Sequence, residues 1–356
     1  MTYVQDVETG GLKGEDTLQG NMEISHIEEE KYLGQIISSD GKNTKHISKM
    51  RNKGIGLQNK VIQMLETMPG GKFHFVIAKI LRNSLVISSI LSSSEVWYGV
   101  TTEELRQLEE VDEIWMRKLL DCSYNVPRDL LYLELEIVPI RFIVQMRRLL
   151  YLHHILQQKK DSLLYRFFMA QLGEPTPKDW VSQVLEDLEE LEISFELDQI
   201  EVMKKEKFKL TVKEAVYNKA FSFLMTKKEN RKSENAKGRL IEYNSFEMAE
   251  YLCPTEEDLS IEERKYLFKC RVDDLNVKGN QTWKYQDISC LSCKDNENET
   301  QSHILFCKAL IGRNEYLTYI PRYEELYQGD LNEQIYVSRI LKENIRLRDF
   351  TATQPM

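Results

Sequence analysis

The clearest chemistry in this chain lies near its C-terminal end, in the stretch "CLSCKDNENETQSHILFC". Two residues separate Cys290 from Cys293, nine separate Cys293 from His303, and three separate His303 from Cys307. Thiolates and imidazoles are the donors that zinc prefers, four at a time, at about 2.0–2.3 Å in a tetrahedron. The Cys-x2-Cys pair places two thiolates on one tight turn, and His303 and Cys307 close the site from the start of a helix. Four protein ligands leave no open position, so the expected cofactor is a structural Zn²⁺ rather than a catalytic one. The loop "KDNENETQS" has no apolar residue and reads as a solvated excursion around the ion. Binding of this kind supplies about 10–16 kcal/mol of apparent folding energy to a region with little core of its own. Cys122, Cys253 and Cys270 have no such neighbours in sequence and read as core thiols.

A second group of residues is defined by charge. The chain of 356 residues has a net charge of −9, which argues against an anionic partner, but the charge is unevenly spread. Residues 1–30 hold one basic and eight acidic side chains, and residues 31–82 hold ten basic and two acidic. Between Gly41 and Leu65 there are six basic residues, Lys42, Lys45, Lys49, Arg51, Lys53 and Lys60, and no acid. Ile47, Met50, Gly54, Leu57, Val61, Leu65 and Met68 recur there at three- and four-residue steps, the stripe of an amphipathic helix. Lys45, Lys49 and Lys53 stand about half a turn from that stripe, so one face packs and the other is positive. A solvated helix face usually mixes signs through i,i+4 pairs. A face of one sign suits contact with a phosphate backbone, which gives affinity and register without sequence readout.

The elements around these residues are mostly helical. "KYLGQIISSDGKN" is a β-prone run followed by the tight-turn signal Asp40-Gly41. Helices are expected after that turn as far as Gly70-Gly71, from about Lys72 into "SSILSSS", and from Thr101, which can form a capping box with Glu104. "IRFIVQMRRLLYLHHIL" is apolar nearly all round and belongs at the centre of a bundle. "GEPTPKDW" is a linker becoming an N-terminal cap, with Thr176 before Pro177 and Asp179 in the first turn. Beyond it lie two more amphipathic helices, one strongly acidic around "LEDLEELE", a polar connector at 227–239, a helix capped by Ser260 and Glu263, and a last helix after Gly329. The expected fold is mainly α, a multi-helix bundle with a small N-terminal β-hairpin and the Cys/His cluster near its C-terminus.

In this order the segments resemble the C-terminal part of a non-LTR retrotransposon reverse transcriptase. The matching residues are "KYLGQIISSDGK" with the basic helix after it, "SEVWYGVTTEELRQLEEVDEIWMRKLL", "LYLELEIVPIRFIVQMRRLLYLHHIL" and "CLSC" with "ETQSHILFC", over most of residues 30–310. By that likeness Tyr32, Leu33 and Gly34 lie in the primer-grip hairpin, residues from about 44 to 122 form the helical thumb, and the CCHC cluster is a zinc knuckle. The implied organisation is a palm remnant at 1–30, an acidic loose segment. Primer grip and thumb follow at 31–125, a helical linker at 126–240, and a helical region with the knuckle at 241–356. The implied partner is a template–primer duplex or RNA, and a palm on separate or upstream sequence.

Polymerase chemistry of that family needs paired palm aspartates holding two metal ions. The adjacent aspartates here, Asp273-Asp274 in "CRVDDLNV", follow a helical pattern without a preceding aromatic and read as a helix end. The expectation is therefore a nucleic-acid-binding fragment that is not itself an enzyme. Its alternative is a zinc-stabilised helical protein-interaction scaffold or inert relic. The acids Asp295, Glu297 and Glu299 set the cluster's loop against a phosphate contact of its own. Gly54-x-Gly56 falls inside a helix rather than between strand and helix, which speaks against a dinucleotide site. His153-His154 in an apolar helix read as packed or surface histidines. No apolar run approaches the ~18 residues of a membrane span, and the N-terminus has neither the basic start nor the apolar core of a secretory signal. An intracellular location, cytoplasmic or nuclear, is expected.

Overall fold

The computed structural model describes the chain except residues 1–2, 6–11, 15–16, 20–21, 25–26, 33–34, 69–70, 177–178, 232–236, 239, 257–258, 282–283, 294, 296 and 354–356, with side chains from Ile27 to Phe350. Three antiparallel hairpins come first. β1 (Tyr3–Gln5) pairs with β2 (Leu12–Gly14), β3 (Thr17–Gln19) with β4 (Met22–Ile24), and β5 (Glu29–Tyr32) with β6 (Gln35–Ser38). In the last pair Tyr32 faces Gln35 and Glu29 faces Ser38. The Asp40-Gly41 signal is realised: Gly41 takes φ +68°, and its amide donates to the Ser38 carbonyl at 3.0 Å. Glycine adopts that left-handed backbone without a Cβ penalty.

All other regular elements among the described residues are helical, and none is long and apolar enough to cross a membrane. They belong to two units. The first comprises Met1–Met64, Ile80–Trp115 and Val138–Ser222, and the second Leu65–Lys79, Met116–Ile137 and Phe223–Met356.

The first unit begins its helices with α1 (Thr44–Thr67). Ile47, Met50, Val61 and Leu65 of the expected stripe are buried, Leu57 is half-buried, and Met68 is exposed just past the helix end. Gly54 is needed for close approach. A Cβ there would lie 2.9 Å from one Val111 methyl and 3.2 Å from Ile90, whereas one on Gly56 would meet nothing within 4 Å. Glycine costs an exposed helix about 1 kcal/mol relative to alanine. Gly56→Ala is therefore expected to raise stability by up to that amount, and Gly54→Ala to lower it by about 1–3 kcal/mol through overpacking. Urea melts of the two variants should move in opposite directions.

α2 (His74–Leu81) continues through a π-helical stretch, Arg82–Ile87, into α3 (Ser88–Ile90). Ser84 Oγ donates to the Ile80 carbonyl at 2.8 Å, and Ser88 Oγ to that of Ser84. Such back-bonding loosens the i→i−4 ladder, and a widened turn results. At the start of this stretch Arg82 meets Asp112 of α4 (Thr102–Leu120). Both side chains are buried, and Nε donates to Oδ1 at 2.7 Å. The box at the start of α4 forms as the sequence suggests, with the Thr101 amide donating to Glu104 at 2.9 Å and the Glu104 amide to the Thr101 hydroxyl at 3.2 Å.

α5 (Arg128–Glu134) belongs to the second unit. In the first, α6 (Ile140–Leu156) is buried along most of its length and contacts α7 (Leu163–Gly173), α8 (Trp180–Glu190) and α9 (Leu197–Val202). At the linker before α8 the cap is Asp179, whose carboxylate accepts from the Ser182 amide and the Thr176 amide, both at 2.7 Å. Thr176 thus supports the cap rather than forming it, because only the Asp179 carboxylate reaches the free amides of the first turn. In acidic α8, Asp187 is buried and makes a fork-to-fork pair with Arg148 at 2.7 and 2.8 Å. α10 (Lys205–Glu229) follows.

The second unit contains α11 (Ile261–Arg271), α12 (Gln301–Phe306), α13 (Lys308–Ile311), α14 (Glu325–Gln328) and α15 (Leu331–Thr353). The Ser260–Glu263 capping box starts α11. α15 contacts all four of the others, burying Val337, Ile340 and Leu341 among Leu267, Phe268, Ile304, Leu305 and Leu310. Asp273 accepts from the hydroxyls of Tyr323 and Tyr327 at 3.0 and 3.3 Å, and Asp274 from the Ser123 amide at 2.8 Å and Lys237 at 2.9 Å. Both carboxylates tie loops of this unit together.

Candidate metal centre

Cys290 and Cys293 lie on a turn at the end of one short extended arm, and Ser289 forms an isolated antiparallel bridge with Asn298 on the returning arm. The Cys290 amide donates to the Glu297 carbonyl at 2.8 Å, and the Glu299 amide to that of Ile288 at 2.7 Å. The loop therefore folds back on itself, with Asp295, Glu297 and Asn298 exposed as a solvated excursion would have them. Thr300 then caps α12, its hydroxyl accepting from the His303 amide at 3.1 Å. His303 and Cys307 are four apart and face the same way.

The four donor atoms lie within 4.8 Å of one another. Cys290 Sγ and Cys307 Sγ are 4.0 Å apart, and Cys293 Sγ and His303 Nε2 are 3.5 Å apart. A tetrahedron with bonds of about 2.0–2.3 Å has edges of about 3.3–3.8 Å, so the Cys293–His303 edge falls within that range and the Cys290–Cys307 edge is slightly longer, an arrangement compatible with a metal site. Thiolates at such spacing repel one another without a cation. Burial and the neighbouring Cys290 sulfur push the Cys307 thiol up to about 12. At Cys290 burial also pushes upward, but the Ser292 and Cys293 amides and His303 outweigh it and lower the thiol below its usual value. A bound divalent ion reverses the burden at both, since a coordinating thiol is deprotonated outright.

The residues behind the ligands are Glu297, Glu299 and Arg348. Glu297 Oε2 lies 2.7 Å from His303 Nδ1, which leaves Nε2 to face the three sulfurs. A carboxylate in this position orients a ligating imidazole and makes it more basic. Glu297→Ala is expected to weaken metal affinity by about 10–100-fold, read by competition with a chromophoric chelator. Glu299 is 1% exposed and accepts from Arg348 Nη1 of α15 at 2.7 Å and from the Lys278 amide at 3.1 Å. Glu299 is thus turned inward, Glu297 is paired with His303 but exposed, and Asp295 is exposed. Local spacing gives no sign of the Arg348 partnership, because 49 residues separate the pair.

The region also has more core than its sequence suggests. Ile304 and Leu305 are buried, Asn344 of α15 donates to the Ile304 carbonyl at 2.8 Å, and Gln301 donates to that of Cys270 at 2.7 Å. The cluster sits beside a helix docked by its own core, rather than in an otherwise coreless segment. Of the remaining cysteines, Cys270 is buried and Cys122 and Cys253 are half-buried.

The basic residues of α1 lie elsewhere, in the first unit. Lys45, Lys49, Lys53 and Lys60 are exposed along one stripe of α1, Lys42 is exposed just before the helix, and Arg51 is half-buried. Lys45 pairs with Glu29 of β5 at 2.8 Å, Arg51 with Glu110 of α4 at 3.0 Å, and Lys53 donates to the Ser89 carbonyl at 3.3 Å. The one acid of α1, Glu66, lies in its last turn, and neighbouring elements bring acids to two of the six basic residues. Tyr32 is exposed at the end of β5, while Leu33 and Gly34 lie outside the described residues. His153 is buried, stacked on Phe208 with Nε2 2.9 Å from the Met203 carbonyl, and His154 is exposed. No protein-family model, curated protein or solved structure matches the chain.

Proposed function

We propose that this chain binds nucleic acid through α1 and carries a structural zinc ion, built like the thumb, linker and zinc knuckle of a non-LTR retrotransposon reverse transcriptase. The observation that carries the reading is the exposed stripe Lys45, Lys49, Lys53 and Lys60 on the side of α1 away from its buried residues, with Lys42 exposed just before the helix. From Lys45 to Lys60 it runs about 22 Å at the helical rise, alongside a duplex that presents one charge per about 1.7 Å. Its one ion pair among the described residues, Lys45 with Glu29, is solvent-exposed and yields readily to a phosphate. Zinc is the assigned ion because three thiolates and one imidazole are soft donors, unlike the oxygen ligands that magnesium and calcium take. Four ligands leave it a structural role. Polymerase chemistry is assigned to a palm outside this chain.

The test is binding of duplex and hybrid oligonucleotides as a function of salt, by fluorescence anisotropy on the zinc-loaded protein. Replacing Lys45, Lys49 and Lys53 with alanine should flatten the slope of log K against log salt by about 0.9 per lost contact on B-DNA. An unchanged slope removes α1 from the interface. The second reading, a helical scaffold for protein partners, is favoured by the net charge of −9 and by the acids that meet Lys45 and Arg51. Absence of any binding at low salt, with zinc bound and the fold intact, selects it.

A further inference from the structure

A cleft of about 760 Å³ opens in the first unit, walled by α6 on one side and by the junction of α9 and α10 on the other. That volume lies within the 300–1,000 Å³ of pockets that bury small ligands. On the α6 wall Arg147, Tyr151 and His154 follow one another at i, i+4 and i+7, hence on one face. Tyr151 and His154 are stacked with ring centres 5.8 Å apart and planes at 21°. Behind them Tyr151 meets the edge of Trp180 at 5.8 Å, Trp180 meets Phe168 at 6.5 Å, and the Trp180 indole N–H donates to the Glu95 carbonyl at 2.8 Å. The result is an aromatic column anchored in the core, whose outermost ring, His154, is exposed to solvent.

The opposite wall contributes Lys204 and Lys205, both exposed, where α10 begins. Cations at a helix N-terminus oppose the helix dipole, and Glu206 is the one acid in that first turn. Arg147 is held by the Leu91 carbonyl and lies 3.5 Å from Ser94 Oγ. Among the described residues no carboxylate forms an ion pair with Arg147, Lys204 or Lys205, and Glu95 is the single acid lining the cleft. Three cations facing one acid, beside an open stacking ring, call for a ligand that is flat at one end and anionic at the other.

We infer that this cleft holds one nucleotide of a single strand, its base stacked on the His154–Tyr151 column and its phosphate between Arg147 and the Lys204-Lys205 pair. The identity of the polymer rests on the nucleic-acid reading above, while the cleft itself is tested with a mononucleotide. The zinc-loaded full chain is titrated with AMP, adenosine and inorganic phosphate by ligand-observed NMR, and with octaadenylate by anisotropy. AMP should bind more tightly than adenosine or phosphate alone, and the octamer more tightly still. His154→Ala should weaken AMP by about 5- to 150-fold, the range for loss of one base–aromatic stack. Lys204→Ala/Lys205→Ala should abolish the advantage of AMP over adenosine. The substituted side chains are exposed, and an unchanged thermal midpoint confirms the fold.

The proposal is overturned by the absence of saturable AMP binding at millimolar concentration, by an affinity that neither variant changes, or by phosphate binding as tightly as AMP. An octamer no tighter than AMP assigns the cleft to free nucleotides and overturns its role in holding a strand. The Lys45/Lys49/Lys53 alanine variant should leave AMP binding intact. If that variant keeps its full salt slope while AMP binding behaves as expected, the α1 reading falls and the nucleotide cleft stands; the reverse outcome removes the cleft alone.

Discussion

Stripping the metal with a strong chelator should lower the thermal midpoint of the second unit by about 8–16 °C. The size follows from linkage: a ligand held at 1,000 times its dissociation constant adds about 4 kcal/mol, and each kcal/mol moves the midpoint of a body of 150–250 residues by about 2–4 °C. Complete unfolding is not expected. The four donors lie within 4.8 Å of one another at one end of α12, but Ile304 and Leu305 are buried and Asn344 holds the helix from α15 independently of them. Hydrogen-exchange protection should therefore disappear across 288–303 and survive in α15. Cys290→Ser and Cys307→Ser should reproduce the loss, and elemental analysis of the untreated protein should give one zinc per chain. A metal-free protein with an unchanged midpoint and full protection at Cys290 would show that the cluster packs as ordinary thiols.

The second large effect concerns Arg82 and Asp112. Their side chains are 2% and 0% exposed and are joined by two hydrogen bonds, Nε to Oδ1 at 2.7 Å and Nη2 to Oδ2. Asp112→Ala leaves a guanidinium without its charge partner in the core, where the usual cost of breaking a buried pair is about 3–5 kcal/mol. The charge pair itself is not the source of that figure. Replacing both partners with apolar residues of similar volume often costs little, since neither ion then needs desolvating. Arg82→Met/Asp112→Leu should accordingly recover most of the stability lost in Asp112→Ala, as measured by urea midpoints. Recovery would also locate the purpose of the pair in seating the π-helical stretch rather than in raw stability. If the single variant costs less than 1 kcal/mol, Arg82 has found water or another acceptor and the pair is not the lock between α4 and that stretch.

Local pattern alone determined most of the helices, because a 3.6-residue period and its caps are properties of neighbouring residues. The stripe from Ile47 to Leu65, the boxes at Thr101–Glu104 and Ser260–Glu263, and the turn at Gly41 all rest on interactions within five residues. The four cluster residues were equally legible, since Cys-x2-Cys and His-x3-Cys each lie within one turn of chain and only the nine residues between the pairs had to close. Tertiary structure decided the partners of charges. Arg348 reaches Glu299 across 49 residues, Arg51 reaches Glu110 across 59, and Asp187 of an acidic helix turns inward to Arg148 across 39. A carboxylate's sign and exposure in sequence do not say which guanidinium the fold will bring to it, because that pairing depends on how helices cross. The cleft of His154, Tyr151, Lys204 and Lys205 belongs to the same class: its walls come from α6 and the α9–α10 junction, and only packing sets them face to face.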